Sequence, residues 1–130
     1  MDLNPDDLSV LARRGSGSAA RAVHGGFVEL LVGDREDGRD TTAEPIADME
    51  FWPICIMIAI TAKSPKVISS RDGMRVTAKT SPYFPAWIES TQADLSEMRA
   101  AILDRDITKF GELSDRSCLK MHGAMIAANP

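Results

Sequence analysis

Residues 13–30 read RRGSGSAARAVHGGFVEL, and this stretch specifies a helix, a turn and a strand in succession. Small residues that favour a helix follow the serines, Gly25 and Gly26 then interrupt it, and a run rich in apolar residues comes next. We therefore predict a helix that begins within residues 16–18 and a strand over residues 27–33.

The same stretch has the composition of an anion-binding surface. Between Asp7 and Glu29 there is no acidic residue, although the whole chain has a net charge of -4. The arginines in this window are Arg13, Arg14 and Arg21. Glycine lets backbone N–H groups approach a ligand, serine hydroxyls can donate hydrogen bonds, and guanidinium groups bind diphosphate or carboxylate in a bidentate manner. A serine N-cap with solvated arginines is the simpler alternative, and the spacing alone leaves both open.

Length and composition fit one compact domain or part of a larger one. The chain has 130 residues, of which 44% are hydrophobic and 26% charged, so it should fold. Its pI of about 5.1 argues against a general nucleic-acid binder. The acidic start is unlike a secretory signal, and the apolar run at residues 51–62 is too short to cross a bilayer. We expect a cytoplasmic protein with no membrane or nucleic-acid partner, in which Cys55 and Cys118 are reduced core residues.

The remaining patterns predict an α+β fold with helices packed on an antiparallel sheet. Asn4 to Asp7 is typical of a helix start, and this helix should stop at Gly15. Residues 54–61, ICIMIAIT, are continuously apolar and predict a strand that is covered on both faces. A helix is expected from Ser69 or Ser70 to about Thr80, and apolar residues at helical spacing run from Leu95 to Met125.

These elements suggest a single partial domain over residues 1–130. Within it we expect an anion-binding segment and a strand at residues 1–33, and a second strand followed by helices at residues 54–130. Two strands leave most sheet edges unpaired, so we expect a fragment of a longer protein.

A second helix start that is basic and contains serines lies in KSPKVISSRDGM, residues 63–74. The cations around Ser69 and Ser70 are Lys63, Lys66, Arg71 and Arg75. Helix capping is the simpler interpretation and phosphate binding is the alternative, but two such helix starts favour a shared polyanionic ligand. His24 and His122 do not have the spacing of metal ligands, and we expect them to pack or to form hydrogen bonds.

Four motifs, in this order, resemble those of the diphosphomevalonate decarboxylases, members of the GHMP kinase superfamily. LARRGSGSAARAVHGGFVEL at residues 11–30 closely resembles the family signature ARxGSGSACRSxxGGFVEW. The segments at residues 36–53, 63–74 and 114–130 are similar to the family's acidic loop, its Lys-rich Ser-Ser segment and its Met-His-Ala helix. The resemblance extends over nearly the whole chain and implies a GHMP-kinase-like fold.

The resemblance also implies an activity, that of an ATP-dependent carboxy-lyase in isoprenoid biosynthesis by the mevalonate pathway. ATP, with Mg²⁺, phosphorylates the tertiary hydroxyl of mevalonate 5-diphosphate, and loss of phosphate and CO2 gives isopentenyl diphosphate. The family's ATP loop should lie upstream of this chain and its catalytic aspartate downstream, so we expect the chain to be inactive alone. The full-length family member is implied to be a homodimer.

By the same resemblance, the substrate-diphosphate segment comprises Ser16, Gly17, Ser18, Ala19, Ala20 and Arg21. Arg21 corresponds to the arginine that holds the substrate carboxylate, and it is the catalytic residue implied for this chain. Ser70 corresponds to a serine near the phosphates, and Arg71 to an arginine typical of bacterial members, which predicts a bacterial source. The departures from the family pattern are Ala20 for Cys, Ala22 for Ser and Leu31 for Trp.

Two other functions stay open. A sister activity, either a phosphomevalonate decarboxylase or a mevalonate 3-kinase, should weaken the arginines that bind the diphosphate, whereas Arg71 is retained. A non-catalytic module with a retained anion pocket is the alternative from a different functional class.

Overall fold

The computed structural model describes residues 3–60 and 68–129, which contain five helices and two strands. The elements are α1 (Pro5–Gly15), α2 (Gly17–Arg21), β1 (Phe27–Leu30), β2 (Ala43–Ala47), α3 (Ser70–Thr80), α4 (Phe84–Leu103) and α5 (Ile107–Ile126). They separate into two compact units, residues 1–55 and residues 56–130.

In the first unit, α1 and α2 pack against a two-stranded antiparallel sheet. The predicted start of α1 is confirmed, because Asn4 Oδ1 accepts a hydrogen bond from the Asp7 N–H at 2.8 Å and Pro5 occupies the first turn. Ser9, Ala20 and Ala43 are almost completely buried where these elements meet. The expected arrangement of helices on an antiparallel sheet is therefore present in this unit.

The turn before β1 depends on glycine at one position. Gly26 has a φ of +80°, and a Cβ there would collide with the backbone of Ala47 and Asp48. The Phe27 ring stacks on Trp52 with ring centroids 5.9 Å apart. A non-glycine residue at position 26 would therefore push apart the end of β2 and the start of β1.

The second strand lies at Ala43–Ala47, and the prediction of a buried strand over residues 54–61 is wrong for the described residues 54–60. They form no strand, and Ile56 and Met57 are 83% and 97% exposed. An apolar run becomes a buried strand only where neighbouring strands supply hydrogen bonds and packed layers cover both faces. Within the described residues, β1 and β2 pair with each other and neither pairs with this run.

The prediction for the two cysteines is confirmed in one respect and wrong in the other. Cys55 and Cys118 are both free thiols, as expected, but both are exposed rather than in the core. Cys55 belongs to the uncovered run after Trp52, and Cys118 lies on the outward face of α5 beside Leu119, which is also exposed. An apolar sequence context therefore did not indicate burial at either position.

The second unit is helical, and α4 and α5 form its main contact. The apolar period that runs from Leu95 to Met125 is divided between these two helices. Arg105 adopts a φ of 55° between them, and Asp106 caps α5 by accepting from the Lys109 N–H at 2.9 Å. Judged over the described ranges, no helix has both the length and the apolar character needed to cross a membrane.

Candidate functional site

The substrate-anion segment, defined here as residues 16–21, begins where α1 passes into α2. Ser16 is extended, with φ -158° and ψ 137°, and its side chain forms no capping bond to α2. Instead, the Ser16 and Ser18 hydroxyls are hydrogen-bonded to each other at 3.0 Å, and both residues are exposed. The segment therefore presents two adjacent hydroxyl groups to solvent.

Helix α2 turns Ala20 inward and Arg21 outward. Ala20 is 0% exposed, Ala19 is half-buried and Arg21 is exposed. Across residues 3–60 and 68–129, no residue forms a side-chain hydrogen bond or an ion pair with the Arg21 guanidinium. Because Ser18 and Arg21 are three residues apart on one helix, they share a face.

The glycines of this region differ in whether the surrounding atoms leave room for a side chain. A Cβ at Gly17 would meet nothing within 4 Å, so packing within this chain does not require glycine there. Gly38, by contrast, has a φ of +64°, and a Cβ there would strike the Arg13 guanidinium. The absence of a side chain at Gly17 leaves open space in front of the substrate-anion segment.

The three arginines predicted to bind an anion have different surroundings. Arg13 is half-buried, and its Nη2 donates to the Gly38 carbonyl at 3.0 Å, which ties α1 to the loop between the strands. Arg14 is exposed on α1 and lines a depression of about 430 Å³ together with Leu11 and Arg39. Arg21 is thus the one of the three that lies on α2.

The two histidines also differ. His24 follows α2 and is half-buried, its backbone N–H donates to the Arg21 carbonyl at 3.1 Å, and its Nε2 is buried without a partner among the described residues. His122 is exposed on α5 and its side chain forms no hydrogen bond within the described residues, so the expectation that it packs or forms hydrogen bonds is wrong.

The second helix start forms a capping network of its own. Ser69 Oγ accepts from the Asp72 N–H at 3.1 Å and donates to Asp72 Oδ2 at 2.6 Å, while Arg75 pairs with Asp72 Oδ1 at 2.8 Å. The capping interpretation is therefore confirmed for Ser69. Ser70 and Arg71 are exposed in the first turn of α3, and Lys63 and Lys66 lie outside the described residues. Because α3 belongs to the second unit, a ligand shared with residues 16–21 stays a prediction.

Sequence reasoning missed one residue that organises the segment. Ser9 of α1 is fully buried and forms hydrogen bonds to both α2 and β2. In the sequence, Ser9 stands out only as a hydroxyl residue in the middle of a predicted helix, and this does not indicate that its face of the helix is buried.

Comparison with known proteins finds one family along the chain. Residues 1–43 match the diphosphomevalonate decarboxylase-like N-terminal domain, and residues 56–130 match the mevalonate 5-diphosphate decarboxylase C-terminal domain. The diphosphomevalonate decarboxylase of Gibberella zeae is 36% identical over 129 residues, which are 98% of this chain and 34% of that protein.

Solved structures agree with this result. A crystal structure of mevalonate 5-diphosphate decarboxylase matches with a TM-score of 0.86 and 32% identity, over 98% of this chain and 33% of that one. A structure that describes the mevalonate diphosphate mediated ATP binding mechanism of the mevalonate diphosphate decarboxylase from Enterococcus faecalis matches with a TM-score of 0.79 and 36% identity, over 98% of this chain and 37% of that one.

Three conclusions follow from these comparisons. The chain spans about a third of the length of the relatives that it matches. Because these relatives include a fungal and a bacterial protein, the similarity does not assign a source. The expected α+β fold of GHMP-kinase type is confirmed, and the chain belongs to the mevalonate 5-diphosphate decarboxylase family.

Proposed function

We propose that this chain is part of an ATP-dependent decarboxylase that converts mevalonate 5-diphosphate to isopentenyl diphosphate. Family membership supports the reaction class, and the observation that carries the proposal is Arg21. It is exposed on α2 without a described partner, at the position that corresponds to the family's carboxylate-binding arginine. Since the relatives are about three times as long, the activity belongs to the longer protein, and we propose that these 130 residues are inactive alone.

The reaction makes specific demands on Arg21. Phosphorylation of the tertiary hydroxyl brings a phosphoryl group close to the substrate carboxylate, and a guanidinium bound to that carboxylate offsets the repulsion and fixes its orientation. The carbon–carbon bond to the carboxylate then breaks, its electron pair forms the new carbon–carbon double bond, and the carbon–oxygen bond breaks to release phosphate. Because neutral CO2 binds a cation less well than a carboxylate does, Arg21 should contribute mainly before decarboxylation.

The remaining candidate residues are proposed to bind the diphosphate. Ser16 and Ser18 supply hydroxyl donors 3.0 Å apart, and Gly17 leaves room for a phosphate group beside them. Neither alanine has a polar side-chain atom, so we propose that the half-buried Ala19 contributes its backbone, whereas Ala20, which is 0% exposed, supports the segment from inside and does not contact the diphosphate. We assign Ser70 and Arg71 to phosphate groups of the same reaction, in line with their exposure at the start of α3.

Magnesium with ATP would neutralise phosphate charge during phosphoryl transfer. Within the described ranges, no cluster of three or more His, Cys, Asp or Glu side chains could hold a metal ion. We therefore assign no magnesium ligand to this chain and derive no step from one.

The proposal includes a bacterial source, a cytoplasmic location and a homodimeric full-length protein. The retained Arg71 supports the first, and the two free thiols fit a reducing compartment. Sequencing of the coding region on both sides would first establish whether an ATP loop precedes the chain and an Asp-Ala-Gly-Pro-like motif follows it.

The decisive assay uses the complete gene product that contains these residues. It is supplied with ATP, Mg²⁺ and one of three substrates: mevalonate 5-diphosphate, mevalonate 5-phosphate or mevalonate. We expect CO2 and ADP in equal amounts, with the highest kcat/KM for the diphosphate. A preference for the monophosphate would identify the sister decarboxylase, and phosphorylation of mevalonate without CO2 would identify the 3-kinase. Substrate binding without turnover would identify a non-catalytic module.

A further inference from the structure

One buried hydroxyl connects three elements of the first unit. Ser9 of α1 is 0% exposed, its Oγ donates to the Ala20 carbonyl of α2 at 3.3 Å, and it accepts from the Ala43 N–H of β2 at 3.0 Å. Ala20 and Ala43 are 0% and 1% exposed, so water cannot replace the hydroxyl at either group.

This arrangement is unusual for a serine inside a helix. Such a hydroxyl commonly bonds the carbonyl four residues earlier in its own helix, as Ser96 does to Gln92 and Ser114 does to Phe110. Ser9 instead reaches two other elements. Helix α2 has five residues, so its last carbonyls have no donors within the helix, and Ser9 supplies one to Ala20.

We infer that Ser9 is a positioning residue for the substrate-anion segment, an inference that rests on the proposed function. Helix α2 carries residues 17–21, and the bond to the Ala20 carbonyl lies next to Arg21. The bond to Ala43 connects the same hydroxyl to the sheet. Ser9 thereby fixes α2 relative to the rest of the first unit and holds Arg21 and the two serines where an incoming anion meets them.

The test is made in the complete protein that contains this chain. Ser9→Ala leaves two buried backbone groups without partners, and we expect kcat/KM for mevalonate 5-diphosphate to fall about tenfold because the segment is displaced. The KM for ATP should stay unchanged. Hydrogen exchange of the amides at residues 17–21 should speed up, and Ser9→Thr, which keeps the hydroxyl, should restore part of the loss. Ser114→Ala, which removes a half-buried hydroxyl bonded within its own helix, is the matched control.

Three outcomes separate this inference from the proposed function. If Ser9→Ala leaves both the substrate kinetics and the exchange at residues 17–21 unchanged while Arg21→Ala impairs turnover, the inference is wrong and the proposed function stands. If Arg21→Ala also has no effect, the site assignment itself fails. Should Ser9→Ala not fold, Ser9→Cys keeps a similar shape with weaker hydrogen bonds, and an equal rise in KM for substrate and ATP would show a general structural role only.

Discussion

Serines and arginines lie at or near the start of both α2 and α3, yet Arg21 on α2 has no partner among the described residues, whereas Arg75 on α3 pairs with an acidic residue. At α3, Asp72 bonds the Ser69 hydroxyl and the Arg75 guanidinium, so these two donors are used within the protein, whereas Ser70 and Arg71 in the same turn are the residues proposed to bind phosphate. At α2, Ser16 makes no capping bond and Arg21 has no partner among the described residues. One acidic residue accounts for much of the difference, because no acid lies near Ser16 in the sequence.

Composition alone therefore does not distinguish a capped helix from an anion site. A nearby carboxylate can accept hydrogen bonds from both a serine and an arginine, and these two side chains then have fewer donors left for a ligand. Where the protein provides no such carboxylate, an anionic group of a ligand can accept these hydrogen bonds instead. Substitutions of the same residue type near each of the two helix starts test this distinction.

The largest effect is expected for Arg21→Ala in the complete protein. Loss of the guanidinium proposed to bind the substrate carboxylate should lower kcat/KM about 10²- to 10³-fold, the usual effect of removing one charge-stabilising donor. Steady-state kinetics with varied mevalonate 5-diphosphate give the measurement. Arg21→Lys should recover only part of the loss, because an ammonium cannot form the bidentate contact.

The matched substitution at the other helix start is Arg75→Ala. Arg75 is exposed and paired with Asp72, so its loss should leave kcat/KM unchanged. Equal impairment by Arg21→Ala and Arg75→Ala would remove the proposed difference between the two helix starts.

The second unit should lose stability when its internal ion pairs are broken. Asp94 on α4 pairs with Lys120 and Arg116 on α5, and its side chain is 15% exposed. We expect Asp94→Asn to lower the free energy of unfolding of the 130-residue chain by about 1–3 kcal/mol, measured by urea titration. Asp115→Asn, an exposed site on α5, serves as the control.

This effect should depend on pH in one direction. The hydrogen bond from Lys120, assisted by the charge of Arg116, lowers the pKa of Asp94 in the folded protein. The contribution of the Asp94 ion pairs to the free energy of unfolding is therefore complete above the unfolded pKa of about 3.9. It is lost as the pH falls through the lower pKa of Asp94 in the folded protein. The difference in the free energy of unfolding between Asp94→Asn and the parent chain should become smaller over that acidic range. A difference that stays constant with pH would contradict the ion pairing of Asp94.

The serines at the N-cap positions of α3 and α2, Ser69 and Ser16, should have smaller and unequal effects on stability when replaced. Ser69→Ala removes the acceptor for the Asp72 N–H and should destabilise the chain by about 1 kcal/mol. Ser16→Ala removes an exposed hydroxyl without a capping bond, so its effect on stability should be below about 0.5 kcal/mol. Thermal unfolding of the two variants under identical conditions makes the comparison, and equal losses would show that Ser16 also caps its helix.

Features that depend on local chemistry could be predicted from the sequence, and features that depend on tertiary partners could not. The Asn4 cap and the Ser69 cap each join residues three positions apart, and the glycine pair before β1 could be recognised as a turn, although the close approach of Ala47 and Asp48 to Gly26 could not. The strand predicted at residues 54–61 fails over its described part, because a buried strand requires neighbours that a pattern cannot supply. The bridge at Ser9 joins residues 34 positions apart, and no local pattern reports it.

The smallest effects are expected for alanine substitutions of two glycines, Gly73 on α3 and Gly17 on α2. A Cβ at Gly73 of α3 would lie 3.9 Å from Met125 Cε and 4.0 Å from Ile68 Cγ2, which are ordinary contacts. Gly73→Ala should therefore stabilise the chain by about 0.5–1 kcal/mol, because alanine loses less backbone entropy in a helix. Gly17→Ala meets open space and should not reduce stability either, yet in the complete protein its methyl group would occupy the space proposed for phosphate. A raised KM for mevalonate 5-diphosphate in Gly17→Ala, but not in Gly73→Ala, would show that the absence of a side chain at Gly17 is needed for substrate binding. An unchanged KM in both would leave Gly17 without the role proposed here.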